Sequence, residues 1–174
     1  MLELVIGGSG SGKSAYSEDK ALKLRDREGS LYYLATMESK GPEAEKRIKK
    51  HRDLRKDKGF ITVEKERNIE ELSFPKDSTV LLEALSSLLA NEMFEGERVN
   101  DPVLISEKIS EAVLKLSGSV ENLIIVSDDI FRDGINYDDG TDKYMRALSI
   151  LHKEIAGKAD SVTEVTAGIP VSWK

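Results

Sequence analysis

Cysteine is absent from the 174-residue chain, which removes a disulfide framework, a thiolate metal site, a cysteine nucleophile and thiol redox chemistry together. No stretch approaches the ~18 consecutive apolar residues of a membrane span, and no basic segment precedes the short apolar run at the N-terminus. A cytoplasmic protein without a membrane span is therefore expected. An excess of positive charge is also missing: 26 Lys and Arg stand against 32 Asp and Glu, a formal net charge of -6. The average field repels nucleic acid and anionic membrane surfaces, so no nucleic-acid partner is expected and any phosphate site has to be local. There is no internal repeat, low-complexity tract or dividing linker, and the length suits one domain over residues 1–174.

What is present alternates between two periods. Leu2 to Ile6, Leu31 to Thr36, Phe60 to Val63, Thr79 to Glu83, Leu123 to Ser127 and Ser161 to Ala167 read as strands. Helical spacing covers Ser14 to Arg27, a highly charged segment from Pro42 to Lys58, Leu85 to Phe94 and Pro102 to Leu116. A further helix, capped by Thr141, runs to about Ala159. Strands alternating with helices predict an α/β, P-loop-type three-layer domain with a mainly parallel sheet flanked by helices.

Between the first strand and the first helix lies Gly7-Gly8-Ser9-Gly10-Ser11-Gly12-Lys13-Ser14, which satisfies the G-x-x-x-x-G-K-[ST] spacing. Glycines let consecutive N–H groups turn inward around phosphate oxygens, and the following helix adds its positive end. Lys13 supplies a cation for the β- and γ-phosphates of a bound nucleotide, and the Ser14 hydroxyl suits Mg²⁺. Thr79-Val80-Leu81-Leu82-Glu83 is apolar until its last residue. Such a strand is buried on both faces and presents Glu83 at its carboxyl end, placed to hold Mg²⁺ or to accept a proton from a substrate hydroxyl. Asp128 and Asp129 end the next buried strand and compete for that role.

The segment Glu43 to Lys58 is a basic patch on an acidic protein, with Ile48 and Leu54 as its strongly apolar residues. At helical spacing Ile48, His51 and Arg55 share a face. Composition alone reads His51 as an exposed histidine on a solvated helix. The alternative is a nucleophile: neighbouring cations disfavour imidazolium and leave a neutral imidazole, while Arg52 and Arg55 stabilise phosphate charge. The second histidine, His152, shares its helix with Leu148, Leu151 and Ile155 and reads as a packing residue.

Five segments occur in one order: GGSGSGKS at Gly7 to Ser14, Leu34-Ala35-Thr36-Met37, Arg47 to Arg55, Leu81 to Leu88, and Ala159 to Val162 with Gly168-Ile169-Pro170. Together they resemble the bifunctional adenosylcobinamide kinase/adenosylcobinamide-phosphate guanylyltransferase family of cobalamin biosynthesis. The resemblance implies that His51 carries a covalent GMP and that nucleotide contacts fall on Ala35, Thr36, Met37, Arg52, Asp53, Leu54, Arg55, Glu64 and Glu83. It also implies ATP or GTP as phosphate donor, adenosylcobinamide and its phosphate as acceptors, and a homo-oligomer, a trimer in that family. The chain departs from the family's usual pattern at Gly10, at Asp128-Asp129 and at Phe60. The alternative readings are another P-loop small-molecule kinase, a nucleotide-binding switch, or a homologue retaining one of the two activities.

Overall fold

The computed structural model describes residues 1–174 apart from 27, 39–40, 42–45, 47, 50–51, 54, 97, 133 and 136. Its strands are β1 (Leu2–Gly7), β2 (Leu31–Ala35), β3 (Ile61–Glu64), β4 (Thr79–Glu83), β5 (Phe94–Glu95), β6 (Arg98–Val99), β7 (Asn122–Asp128), β8 (Ser161–Thr166) and β9 (Ile169–Ser172). The helices are α1 (Lys13–Leu24), α2 (Leu85–Met93), α3 (Pro102–Ser119) and α4 (Asp139–Lys158), with a short 3-10 turn at Ile69–Glu71.

Seven strands form one sheet in the order β3-β2-β4-β7-β1-β8-β9. The first six run parallel and β9 closes the edge antiparallel to β8. Parallel strands need helical crossovers, and these cover both faces. Alternation along β4 and β7 sends Leu82, Leu123 and Ile125 to a large core under α2, α3 and α4. The intervening Leu81, Ile124 and Val126 face a smaller core under α1. All six are fully buried, which explains why these strands carry no polar alternation.

Strand register decides what meets at the carboxyl edge. Glu64, Ala35 and Glu83 stand in one row across β3, β2 and β4, and Gly7 pairs with Asp128 across β1 and β7. The predicted α/β class and the glycine loop between β1 and α1 both hold, and β3 lies at one edge of the sheet.

Several boundaries differ from the sequence reading. α1 stops at Leu24 rather than Arg27, where Arg25 turns to extended backbone. The cap of α4 lies three residues before the expected one. Asp138 is the N-cap, its Oδ1 accepting from the Thr141 N–H at 2.9 Å while the Thr141 hydroxyl donates to Oδ2 at 3.0 Å. A carboxylate caps as well as a hydroxyl does, and Thr141 then works from the first turn. β9 and the small β5–β6 hairpin escaped sequence analysis, because two-residue strands carry too few periods to register and Pro170 interrupts the strand pattern of β9. Among the described residues, no helix is long and apolar enough to cross a membrane.

Candidate nucleotide site

α1 starts where the glycine loop ends, and the backbone sets its geometry. Gly12, the N-cap, sits at φ 92°, a left-handed conformation that glycine adopts without cost. A Cβ there would also approach the Gly168 Cα at 3.2 Å, because the β8–β9 turn packs on the loop. The Gly168 N–H donates to the Ser11 carbonyl at 2.8 Å, tying hairpin and loop together. Lys13 lies folded back over this loop, donating to the Gly8 carbonyl at 3.0 Å and pairing with Asp128 Oδ1 at 2.8 Å. An anion entering the loop would compete with Asp128 for the same ammonium.

Ser14, on the next turn position, donates to Glu83 Oε1 at 2.5 Å. The other oxygen of that carboxylate accepts from the Tyr33 hydroxyl at 3.0 Å. Glu83 therefore joins the loop on β1 to a second cleft over β2 and β3. That cleft has a volume of about 440 Å³, and its lining includes Ala35, Met37, Ile48, Lys49, Arg52, Asp53, Arg55, Glu64 and Glu83. Of the basic segment, Ile48, Lys49, Arg52, Asp53 and Arg55 are helical. Arg52 is exposed and paired with Glu64 across the cleft mouth.

Arg55 contradicts the picture of a solvated basic face. It is 6% exposed, and its guanidinium carbon lies 3.2 Å from the centroid of the Tyr33 ring. Stacking on an aromatic face compensates a desolvated guanidinium in part. Its Nε and Nη1 are buried and find no hydrogen-bond acceptor among the described residues. Burial and the neighbouring Glu83 charge push the Tyr33 hydroxyl well above the usual phenol range, so it stays a donor to Glu83. Lys58 reaches Glu18 of α1 at 2.6 Å, fastening the end of the basic segment to the loop's own helix.

Sequence-derived candidates thus converge in two adjoining sets. Gly7, Gly8, Ser9, Gly10, Ser11, Gly12, Lys13 and Ser14 form the loop, while Ala35, Met37, Arg52, Asp53, Arg55, Glu64 and Glu83 line the cleft. Thr36 stands apart: its fully buried hydroxyl donates to the Ala84 carbonyl at 2.7 Å and accepts from the Ala84 N–H at 2.9 Å, bracing the start of α2. His51 and Leu54 lie outside the described residues. Asp129 is turned to Arg132, at 2.8 Å. His152 packs as expected, against Phe131 and beside the Ser127 hydroxyl at 2.7 Å. The residue that sequence reading missed is Tyr33. Its signal was a tyrosine within a buried strand, whose hydroxyl needs a partner.

Fold and loop define a P-loop nucleotide-binding protein. A family model described as cobinamide kinase / cobinamide phosphate guanyltransferase matches residues 3–173, nearly the whole chain, and the protein belongs to that family. It is accordingly an enzyme of the bifunctional adenosylcobinamide kinase/guanylyltransferase class, which acts in cobalamin biosynthesis and uses GTP and ATP as substrates. A search of curated proteins found no match. Among solved structures, an ATPase domain is similar at 10% identity, covering 94% of this chain and 68% of that one, with a TM-score of 0.54. A DnaB-like replicative helicase, described with its primase interactions, is similar at 13% identity over 94% of this chain and 46% of that one, TM-score 0.53. At such identities the likeness concerns the fold alone.

Proposed function

We propose that this chain phosphorylates adenosylcobinamide with ATP or GTP and then transfers GMP from GTP, through His51, to adenosylcobinamide phosphate, giving adenosylcobinamide-GDP. The observation that carries this reading is the Glu83 carboxylate, bonded at once by Ser14 of the phosphate loop and by Tyr33 under Arg55 of the adjoining cleft. One nucleotide site with two working ends suits an enzyme with two phosphorus chemistries.

In the kinase half, Lys13 and the loop N–H groups hold the triphosphate, and Glu83 accepts the proton as the aminopropanol hydroxyl attacks the γ-phosphorus. The new P–O bond forms as the β–γ bridge breaks, leaving a nucleoside diphosphate. In the transferase half, a neutral His51 nitrogen attacks the α-phosphorus of GTP, the α–β bridge breaks and pyrophosphate leaves. A phosphate oxygen of the acceptor then attacks the phosphoramidate, and the P–N bond returns its electrons to imidazole. Arg55 lines the cleft, and its guanidinium would receive the in-flight phosphate oxygens.

Mg²⁺ fits the donor set: Ser14 Oγ and Glu83 Oε1 are hard oxygen ligands side by side. Among the described residues no three His, Cys, Asp or Glu side chains gather into a cage, so Ser14 and Glu83 would hold the ion together with the nucleotide, and it would neutralise phosphate charge there. The acidic net charge supports small-molecule rather than nucleic-acid partners.

The test is turnover. Adenosylcobinamide incubated with GTP should give adenosylcobinamide phosphate, then adenosylcobinamide-GDP with one pyrophosphate released per product. GTP binding without either product would overturn the reading.

A further inference from the structure

Beside the nucleotide cleft, the carboxyl edge of the sheet carries a second cleft of about 500 Å³, between the end of α2, the β5–β6 hairpin and the start of α3. One side chain forms the wall between them. Asn91 donates from Nδ2 to the Thr36 carbonyl at 2.7 Å and to the Glu66 carbonyl at 3.0 Å. Glu66 lines the nucleotide cleft and Asn91 lines the second. A ligand whose reacting arm lies at the nucleotide therefore has the second cleft within the thickness of one residue.

We propose that this second cleft seats the corrin macrocycle of the acceptor, a hydrocarbon plate rimmed with carboxamides; the assignment rests on the function proposed above. The hydrogen-bonding character of the lining carries it. Asn91 and Asn100 use their nitrogens on backbone carbonyls, the latter on Glu92 at 2.9 Å, which leaves their Oδ1 atoms as acceptors. Asn68 uses its Oδ1 on Lys108 at 2.8 Å, which leaves its Nδ2 as donor. A carboxamide offers both a donor and an acceptor, so it meets both kinds of group, whereas phosphate only accepts.

Charge points the same way. Cations and carboxylates line the cleft in equal number. Lys108 is neutralised by Glu92 at 2.8 Å and Glu70 at 3.5 Å, and Arg67 by Glu38 at 3.2 Å. Such a balanced surface draws no anion. Val99 and Leu104, 41% and 66% exposed, give the polar lining an apolar rail for the face of the ring. The arm carrying the aminopropanol hydroxyl then crosses the Asn91 wall towards Glu83 and the phosphates.

Steady-state kinase assays on wild type, Arg98→Ala and Leu104→Asp test this, with adenosylcobinamide varied at saturating GTP and GTP varied at saturating adenosylcobinamide. Both side chains are exposed, so the fold tolerates the changes. Each variant should raise KM for adenosylcobinamide about tenfold or more while KM for GTP stays within about twofold. An unchanged corrinoid KM in both variants would overturn the proposal, and so would equal rises for corrinoid and GTP, which would assign the cleft to the nucleotide. A wild-type chain that turns over no corrinoid overturns the function itself, and is told apart from the first two outcomes by its failure before any substitution.

Discussion

Arg55 and Tyr33 show how a site is built from two side chains that sequence reading weighed differently. The arginine was legible, because it lies four residues after His51 in a basic helical segment. Its burial was not, since burial arises from stacking on a tyrosine 22 positions earlier in the chain and on a different element. The planar guanidinium fits that stack and can grip two phosphate oxygens; an ammonium does neither. Arg55→Lys should therefore slow formation of the GMP adduct about tenfold to a hundredfold at saturating GTP, the loss of one charge-assisted contact of about 1.5–3 kcal/mol. Single-turnover rates read this directly, and an unchanged rate would return Arg55 to a structural role. Tyr33→Phe keeps the ring under Arg55 and removes the bond to Glu83. Phosphorylation should slow while adduct formation holds, and rapid-quench assays of the two half-reactions separate them.

At the scale of elements, the glycine loop was legible between β1 and α1 because its spacing puts glycine where the backbone turns left-handed, at Gly10 and Gly12. The hairpin that packs on it was not read, since that contact brings Gly168 against Gly12 from the far end of the chain. Gly12→Ala meets both demands at once. A left-handed alanine costs about 1–2 kcal/mol, and the Cβ must also push the Gly168 backbone away. The expected outcome is a Tm lower by about 2–8 °C together with weakened GTP binding, measured by thermal melts with and without nucleotide. An unaltered Tm would mean that loop and hairpin are not held together as described. The start of α4 gives the converse lesson: Asp138 and Thr141 are both good caps three residues apart, and local sequence does not rank them.

Over the whole molecule, the layered α/β architecture followed from strand composition, while the joining of β1, β4 and β2 into one site depended on strand order, which no local pattern encodes. The same long-range packing buries His152 of α4 against β7 beside Ser127. Burial lowers its pKa to about 4, against the opposing pull of Asp129 and Asp128. The fold thus favours neutral imidazole, and below pH ~6.5 the unfolded chain takes up a proton that the folded one refuses. This contribution is complete above about pH 6.5 and is lost as pH falls to about 4, at most about 3 kcal/mol. Urea melts of wild type and His152→Gln at pH 5 and pH 7 should differ in their pH slope, the variant being flatter. Parallel slopes would exclude the histidine as the source.

The two chemistries are separated most directly at His51. Wild-type protein incubated with GTP labelled at the α-phosphate should take up close to one GMP per chain, in a linkage labile to acid and stable to base, as a phosphoramidate is. His51→Ala should take up none and form no adenosylcobinamide-GDP, yet still phosphorylate adenosylcobinamide. Equal loss of both activities in a folded variant, or an adduct that survives the substitution, would contradict the assignment of two phosphorus chemistries to one site.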